Sequence, residues 1–130
     1  MKRLIFLLLI VFCACKDSGE LDIQPYPYLV ISKFTINSPE NVTVDARFIQ
    51  LGTDPILRHG FVWHWTQQTP HLNELNNDGF FEMDSPPTDT NISQEISHQF
   101  LQNQVYFFRY YTMSATDTTY SGSASVIPNP

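Results

Sequence analysis

Cysteine is scarce in this chain of 130 residues: only Cys13 and Cys15 occur, and both lie near its start. With no cysteine further along, the rest of the sequence cannot build a disulfide framework. A Cys-x-Cys zinc half-site would need partner ligands nearby, and the next histidine is His59. We therefore expect neither a disulfide nor a zinc site, and the two cysteines need another explanation.

Basic residues are also few, with seven Lys and Arg against thirteen Asp and Glu and a formal net charge of −6. Nucleic-acid binding requires a basic surface, so this composition excludes it as an expected function. The G-x-S-x-G and H-E-x-x-H motifs are absent. His59 and His64, an odd number of positions apart, would point to opposite faces of one strand. We expect no enzyme, no cofactor and no metal.

Long apolar runs are limited to residues 4–12, LIFLLLIVF, which follow the basic pair Lys2 and Arg3. As a helix this run would rise only about 14 Å, against a hydrocarbon core of about 30 Å. It is too short to span a membrane, and a basic start followed by a short apolar run is typical of a secretory signal peptide.

The end of that run, FCAC at residues 12–15, resembles the lipobox of bacterial lipoproteins. Cleavage after the small residue Ala14 would leave Cys15 as the first residue of the mature chain. The resemblance implies that Cys15 carries acyl chains that hold the protein to the outer membrane. An ordinary secreted protein, with Cys15 unmodified, is the alternative.

The residues that follow, KDSGELDIQPYP, are polar, acidic and interrupted by proline, which predicts a flexible tether. Lys16 followed by Asp17 resembles the tag that directs some lipoproteins of the Bacteroidota type to the cell surface. Surface exposure is therefore favoured over a periplasm-facing position. The expected organisation is a signal peptide at 1–14, a lipidated cysteine and tether at 15–27, and one folded domain at 28–130.

The remaining sequence has the period-two alternation of β-strands, separated by clusters of Gly, Pro, Asn and Asp. Seven candidate strands cover residues 28–36, 42–51, 57–66, 79–83, 92–100, 105–115 and 119–127. Seven short strands in about 100 residues predict an all-β, immunoglobulin-like sandwich.

Alternation also predicts which side of each strand faces the core. The second strand places one apolar set inside, formed by Val42, Val44, Ala46 and Phe48. The third strand places its larger apolar set inside, formed by Leu57, His59, Phe61, Trp63 and Trp65. The opposite face of the third strand then carries Arg58, Gly60, Val62 and His64.

Two segments resemble the fibronectin type III-like domain found in surface lipoproteins of the Bacteroidota type: RHGFVWHWTQQTPHL at 58–72 and FLQNQVYFFRYYTMSATDTTYSG at 100–122. The matching positions are His59, Gly60, Trp63, Pro70, Phe100, Tyr106, Phe107, Phe108, Arg109, Tyr111 and Tyr120. The resemblance implies that the Tyr106 hydroxyl binds nearby backbone and fixes a corner of the sandwich. Together with the alternation that places Phe61 inside, it leads us to expect structural roles for Gly60, Phe61, Trp63, Phe100, Tyr106 and Phe108.

The strand VYFFRYY is aromatic on both faces, which suggests a binding surface. If Tyr106, Phe108 and Tyr110 fill the core, the outer face carries a candidate patch formed by Phe107, Arg109 and Tyr111 together with Val62 and His64. Trp65 is a further candidate, because an exposed Trp can stack on a sugar or a peptide. The alternative is a covered face in which the Arg109 stem lies over aromatic rings.

Two functions of different classes are therefore open. One is a membrane-anchored binding or adhesion module with a protein or glycan ligand, and the other is a structural or accessory component of an envelope assembly. The loop at 76–89 offers Asp78, Glu82, Asp84 and Asp89 as oxygen ligands, but it lacks the regular spacing of a calcium loop. A solvated loop is the favoured interpretation there.

Overall fold

The computed structural model of this chain describes residues 24–72, 79–83 and 86–130. The signal peptide, Ala14, Cys15 and the first part of the predicted tether lie outside the described residues. Eight strands are present among those described: β1 (Tyr28–Ser38), β2 (Asn41–Gln50), β3 (Arg58–His64), β4 (Gly79–Met83), β5 (Asn91–Ser97), β6 (Tyr106–Met113), β7 (Thr118–Tyr120) and β8 (Ala124–Val126).

The strands form two antiparallel sheets. The first has three strands in the order β1-β2-β5, and the second has the order β4-β3-β6-β7, with β8 also paired to β6. The chain crosses between the sheets three times, after β2, β4 and β5. The predicted all-β sandwich is thereby confirmed.

The core lies between the two sheets, and on β2 its members follow the predicted alternation. On β2, Val42, Val44, Ala46 and Phe48 are buried. On β3, His59, Phe61 and Trp63 are buried as predicted. Leu57 and Trp65, predicted inside with them, are instead 50% and 39% exposed, because they lie just beyond the two ends of the strand. On the opposing sheet, Phe61 and Trp63 of β3 pair with Tyr110 and Phe108 of β6, so these four large side chains share the inner face. Apolar burial of this kind is the main driving force for folding.

A tyrosine corner fixes the connection between β5 and β6. Tyr106 begins β6 and is 1% exposed, and its hydroxyl accepts a hydrogen bond of 3.0 Å from the backbone N–H of Leu101. The Tyr106 ring also packs edge-on against Phe100, with centroids 5.0 Å apart. The connection is thus held by one polar and one aromatic contact, the role that the sequence resemblance implied for Tyr106.

The last predicted strand, 119–127, is divided in two. Ser121 separates β7 from β8 and turns its side chain into the ladder: its Oγ accepts a 2.9 Å hydrogen bond from the Tyr110 N–H, while its own N–H donates to the Tyr110 carbonyl at 2.8 Å. A side-chain hydroxyl therefore replaces a backbone acceptor at this point. Seven predicted strands become eight for this reason.

Two ends of the sandwich can be distinguished by the direction of the strands. The entry end contains residues 24–27, where the described chain begins, and the β2–β3 and β6–β7 connections. Pro25 joins this end to the domain, since its carbonyl accepts hydrogen bonds from Thr53 N–H at 3.1 Å and Asp54 N–H at 2.9 Å. The distal end contains the β1–β2 and β5–β6 connections and residues 127–130.

Gly52 permits the close approach of chain segments at the entry end. Its φ is +73°, and a Cβ at this position would lie 2.7 Å from the Pro25 carbonyl oxygen. Only glycine adopts such a backbone conformation at little cost, and only glycine leaves this space open. The described contacts of the folded domain thus include Pro25, three residues before β1.

Candidate functional site

The predicted binding patch lies on the outer face of the five-stranded sheet, and the structure brings most of its members together. Gly60 pairs with Tyr111, Val62 with Arg109, and His64 with Phe107 across the β3–β6 ladder. Because directly opposite residues in an antiparallel pair point to the same side, these side chains form one surface. Alternation predicted that Phe107, Arg109 and Tyr111 share a face near Val62 and His64, and the ladder places them so.

The centre of that surface is buried. Val62 and Tyr111 are fully buried and His64 is 8% exposed, although all three face away from the core between the sheets. Residues 66–72, the first part of the β3–β4 connection, lie over the same face, where His71 contacts Arg109 and Tyr120. Pro70 in this segment is itself fully buried, and the Leu72 N–H donates a 3.1 Å hydrogen bond to the Tyr120 hydroxyl. An open patch at Val62, His64 and Tyr111 is therefore not present.

Arg109 is held on this covered face by three groups. Its Nε donates to the Ser121 carbonyl at 2.9 Å, and its Nη1 lies 3.0 Å from the Nε2 of His71. Its guanidinium carbon stands 4.6 Å from the centre of the Tyr120 ring. This contact is a cation–π interaction, and it joins Arg109 to the strand beside it and to the covering segment. The guanidinium thus has internal partners.

Tyr111 reaches across β3 to the edge strand β4. Its hydroxyl donates a 3.0 Å hydrogen bond to Glu82 Oε2, while Glu82 Oε1 forms a 3.0 Å ion pair with Arg58 Nη1. Gly60 lies between Tyr111 and Glu82 in the register, so no side chain stands in the way. Burial raises the pKa of Tyr111, and the neighbouring Glu82 carboxylate raises it further. Glu82 on β4 thus connects Tyr111 on β6 with Arg58 on β3.

His64 and Trp65 form the turn that starts the covering segment. The Nδ1 of His64 accepts hydrogen bonds from the Thr66 N–H at 2.9 Å and the Gln67 N–H at 3.0 Å. His64 therefore directs the chain back over the sheet after β3 ends. Trp65 projects at this turn and is 39% exposed. Among the predicted patch residues, Trp65 is the one that is classed as exposed.

A smaller accessible surface remains at the distal end of the same face, and we call Val105, Phe107 and Ile127 the distal patch. Val105 and Ile127 flank the paired residues Tyr106 and Val126, so they lie side by side on the outer face. Both are exposed, and Phe107, two residues along β6, is half-buried. Period-two alternation placed Phe107 correctly but gave no reason to include Val105 or Ile127.

The described residues form several recesses that could accommodate small groups, among them the following two. One, of about 210 Å³, lies at the entry end, between residues 25–27 and the β6–β7 connection, and is lined by Asp54, Thr112 and Asp117 among others. The other, of about 240 Å³, lies beside β5 and has His59 in its wall. His59 Nδ1 lies 2.6 Å from the Tyr110 hydroxyl, so that nitrogen is engaged in the core. Neither recess has a recognisable catalytic arrangement.

The suggested calcium ligands fall partly outside the described residues, since Asp78 and Asp84 are not described. Glu82 is engaged by Arg58 and Tyr111, and Asp89 Oδ1 accepts a 3.1 Å hydrogen bond from the Asn91 N–H at the start of β5. Within residues 24–72, 79–83 and 86–130, no three His, Cys, Asp or Glu side chains are grouped so that they could hold a metal ion. The same residues contain no helix long and apolar enough to cross a membrane.

Comparison with known proteins found no matching family model and no match among curated proteins.

Proposed function

We propose that this protein is a non-enzymatic, lipid-anchored binding module of the bacterial cell envelope, related to fibronectin type III-like domains. Its acyl chains on Cys15 would hold it in the outer membrane, and its distal patch would bind a protein partner. The observation that carries this proposal is the exposure of Val105 and Ile127, side by side, at the end of the sandwich away from the point of chain entry.

The strand order supports the proposed relationship. Three strands face a sheet built around β3 and β6, and the connection before β6 contains the Tyr106 corner expected for sandwiches of this kind. Gly60, Trp63, Phe100 and Phe108, which the resemblance marks as structural, are all buried. A shared architecture does not determine function, so the binding role must rest on the surface itself.

The chemistry of the distal patch favours a protein over a glycan. Val105 and Ile127 are aliphatic, and Phe107 presents only part of its ring. Sugars stack on broad exposed aromatic faces. Partly exposed aliphatic groups contribute to binding mainly because they move out of water when they contact another apolar surface. Ser125, paired with Phe107, is an exposed polar residue at the border of this surface.

Site-specific cross-linking in intact envelopes tests the proposal. In the proposed mature chain Cys15 is blocked by acylation, so Ser125→Cys introduces a single reactive thiol beside the patch. Glu95→Cys, exposed on β5 of the other sheet, is the matched control. We expect a discrete protein adduct from position 125 and none from 95, and loss of that adduct when Val105→Ser and Ile127→Ser are added. An adduct that survives both serine substitutions would disprove a role for the patch.

A structural or accessory role is the second candidate, and one observation favours it. Residues 66–72 cover the centre of the outer face, so the apolar surface at Val62 and Tyr111 is used within the chain. If no adduct forms from either position, but deletion of the protein changes the composition of an envelope complex, the accessory role replaces the binding role. Mass spectrometry of the mature N-terminus tests acylation of Cys15 separately. Protease added to whole cells tests surface exposure.

A further inference from the structure

Several large apolar side chains of the described residues are exposed, and they include a group at the entry end of the sandwich. The entry end carries Tyr26, Tyr28, Ile49, Leu51 and Leu57, and the distal half carries Ile36, Trp65, Phe80, Leu101, Val105 and Ile127. Exposed apolar residues scattered singly need no explanation. Five such residues grouped around the point of chain entry do call for an explanation.

The five residues at the entry end, which we call the entry rim, are close in the fold. Tyr28 pairs with Gln50, and the close contact of Gly52 with residues 25–27 brings Leu51 towards Tyr26. Leu57 lies at the start of β3, where its N–H donates a 2.8 Å hydrogen bond to the Met113 carbonyl. Each rim residue is between 48% and 60% exposed. The rim therefore surrounds the point where the chain enters the domain.

The chain length before the domain brings this end to the membrane. Nine Cα-to-Cα steps separate Cys15 from Gln24. Fully extended, nine steps reach at most about 32 Å. If Cys15 is embedded through its acyl chains, the entry rim stays within this distance of the headgroups. The distal end lies a further strand length away.

We propose that the entry rim rests in the headgroup region of the bilayer that holds the acyl chains, so that the sandwich stands with its distal end outward. This inference rests on the lipid anchoring proposed above. Tyrosine suits this environment, because its ring is apolar and its hydroxyl remains hydrated. Leu51 and Leu57 add apolar surface that would leave water.

The charge near the rim indicates the kind of lipid surface. Asp54 and Asp117 line the recess at this end, and Arg58 is paired with Glu82. Two carboxylates beside the rim would be repelled by anionic headgroups, which hold a negative surface potential. Contact should therefore be made with zwitterionic headgroups, and it should weaken as the fraction of anionic lipid increases.

A depth measurement on the acylated full-length protein tests the orientation. Ala115→Cys places a single environment-sensitive fluorophore at the entry end, and Gln102→Cys places it at the distal end as the matched control, since both positions are exposed. The proteins are reconstituted in phosphatidylcholine vesicles that contain a lipid with a quencher at the headgroup. We expect several-fold stronger quenching at position 115 than at 102, reduced to the level of position 102 by Leu51→Ser with Leu57→Ser.

Flotation of the same vesicles separates the two proposals. Protein that floats, but is quenched equally at both positions or at neither, is anchored without the proposed orientation, and the inference is wrong. Quenching at 115 that is unchanged by the two serine substitutions also overturns it, because the rim would then not make the contact. Protein that does not float, with Cys15 unmodified by mass spectrometry, refutes the anchoring and with it the inference.

Discussion

Two buried tyrosine hydroxyls on adjacent residues predict that this domain loses stability steeply in alkaline solution. Tyr110 and Tyr111 are both fully buried, on opposite faces of β6. Burial raises the pKa of Tyr110 well above its ordinary value. Burial and the Glu82 carboxylate do the same for Tyr111. In the unfolded chain both hydroxyls would titrate near the ordinary tyrosine pKa of about 10.

Whether the free energy of unfolding rises or falls with pH depends on which state, native or unfolded, holds more protons. Below a pH of about 10 both states keep both protons, so the contribution to stability is fully present. Above it the unfolded state releases two protons that the native state retains, and the free energy of unfolding falls as the pH rises. The slope is about 1.4 kcal/mol per pH unit for each tyrosine, or about 2.7 for the two. By pH 12 the loss is at most about 5 kcal/mol, comparable with the whole stability of many domains.

Urea unfolding at a series of pH values, followed by the fluorescence of Trp63 and Trp65, measures this slope. Tyr111→Phe removes one of the two protons and should halve the slope, while costing about 1.5–3 kcal/mol near neutral pH through the lost hydrogen bond to the Glu82 carboxylate. Tyr28→Phe, at an exposed position, is the matched control and should leave the slope unchanged. An equal slope for the wild type and Tyr111→Phe would refute the reasoning. So would full tyrosinate absorbance in protein that is still folded.

Three further substitutions test local features, each by urea unfolding with an unchanged m-value as the check on two-state behaviour. Tyr106→Phe should cost about 1 kcal/mol, because the Leu101 N–H loses its acceptor; no loss would show that the corner is not stabilising. Gly60→Ala should cost about 1–3 kcal/mol, since its Cβ would meet the Phe81 carbonyl oxygen, whereas Gly122→Ala, with open space around it, should cost far less. Ser121→Ala should cost about 1–3 kcal/mol by leaving the Tyr110 N–H without its acceptor.

The sequence predicted the sandwich and the inner faces of its main strands, because both depend on simple periodicity. Val42, Val44, Ala46 and Phe48 alternate with polar residues, and the pleat of a strand turns that alternation directly into an inside and an outside. A strand that is apolar on both faces indicates instead that both of its faces are covered. The runs RHGFVWH and YFFRYYTM show that β3 and β6 are central and covered on both sides.

What the periodicity did not reveal is which part of the chain supplies the second cover. Residues 66–72 have no regular alternation, and their position depends on individual contacts, such as those made by His64 at the turn and Tyr120 at the far side. The division of the last predicted strand at Ser121 also depends on an individual contact and not on periodicity. A hydroxyl that replaces a backbone acceptor is a local event, and it leaves no trace in a pattern of apolar and polar residues.

The long pairing of β1 with β2 has a mechanical consequence. Its ladder extends from Tyr28 opposite Gln50 to Ser38 opposite Asn41. A chain held before Tyr28 at one end of the sandwich, and pulled by a partner at the other, would transmit force along the strands. The hydrogen bonds of this ladder run across the strands, so they would bear the load together in shear rather than one after another. A domain built in this way resists pulling along its axis far better than peeling from its side.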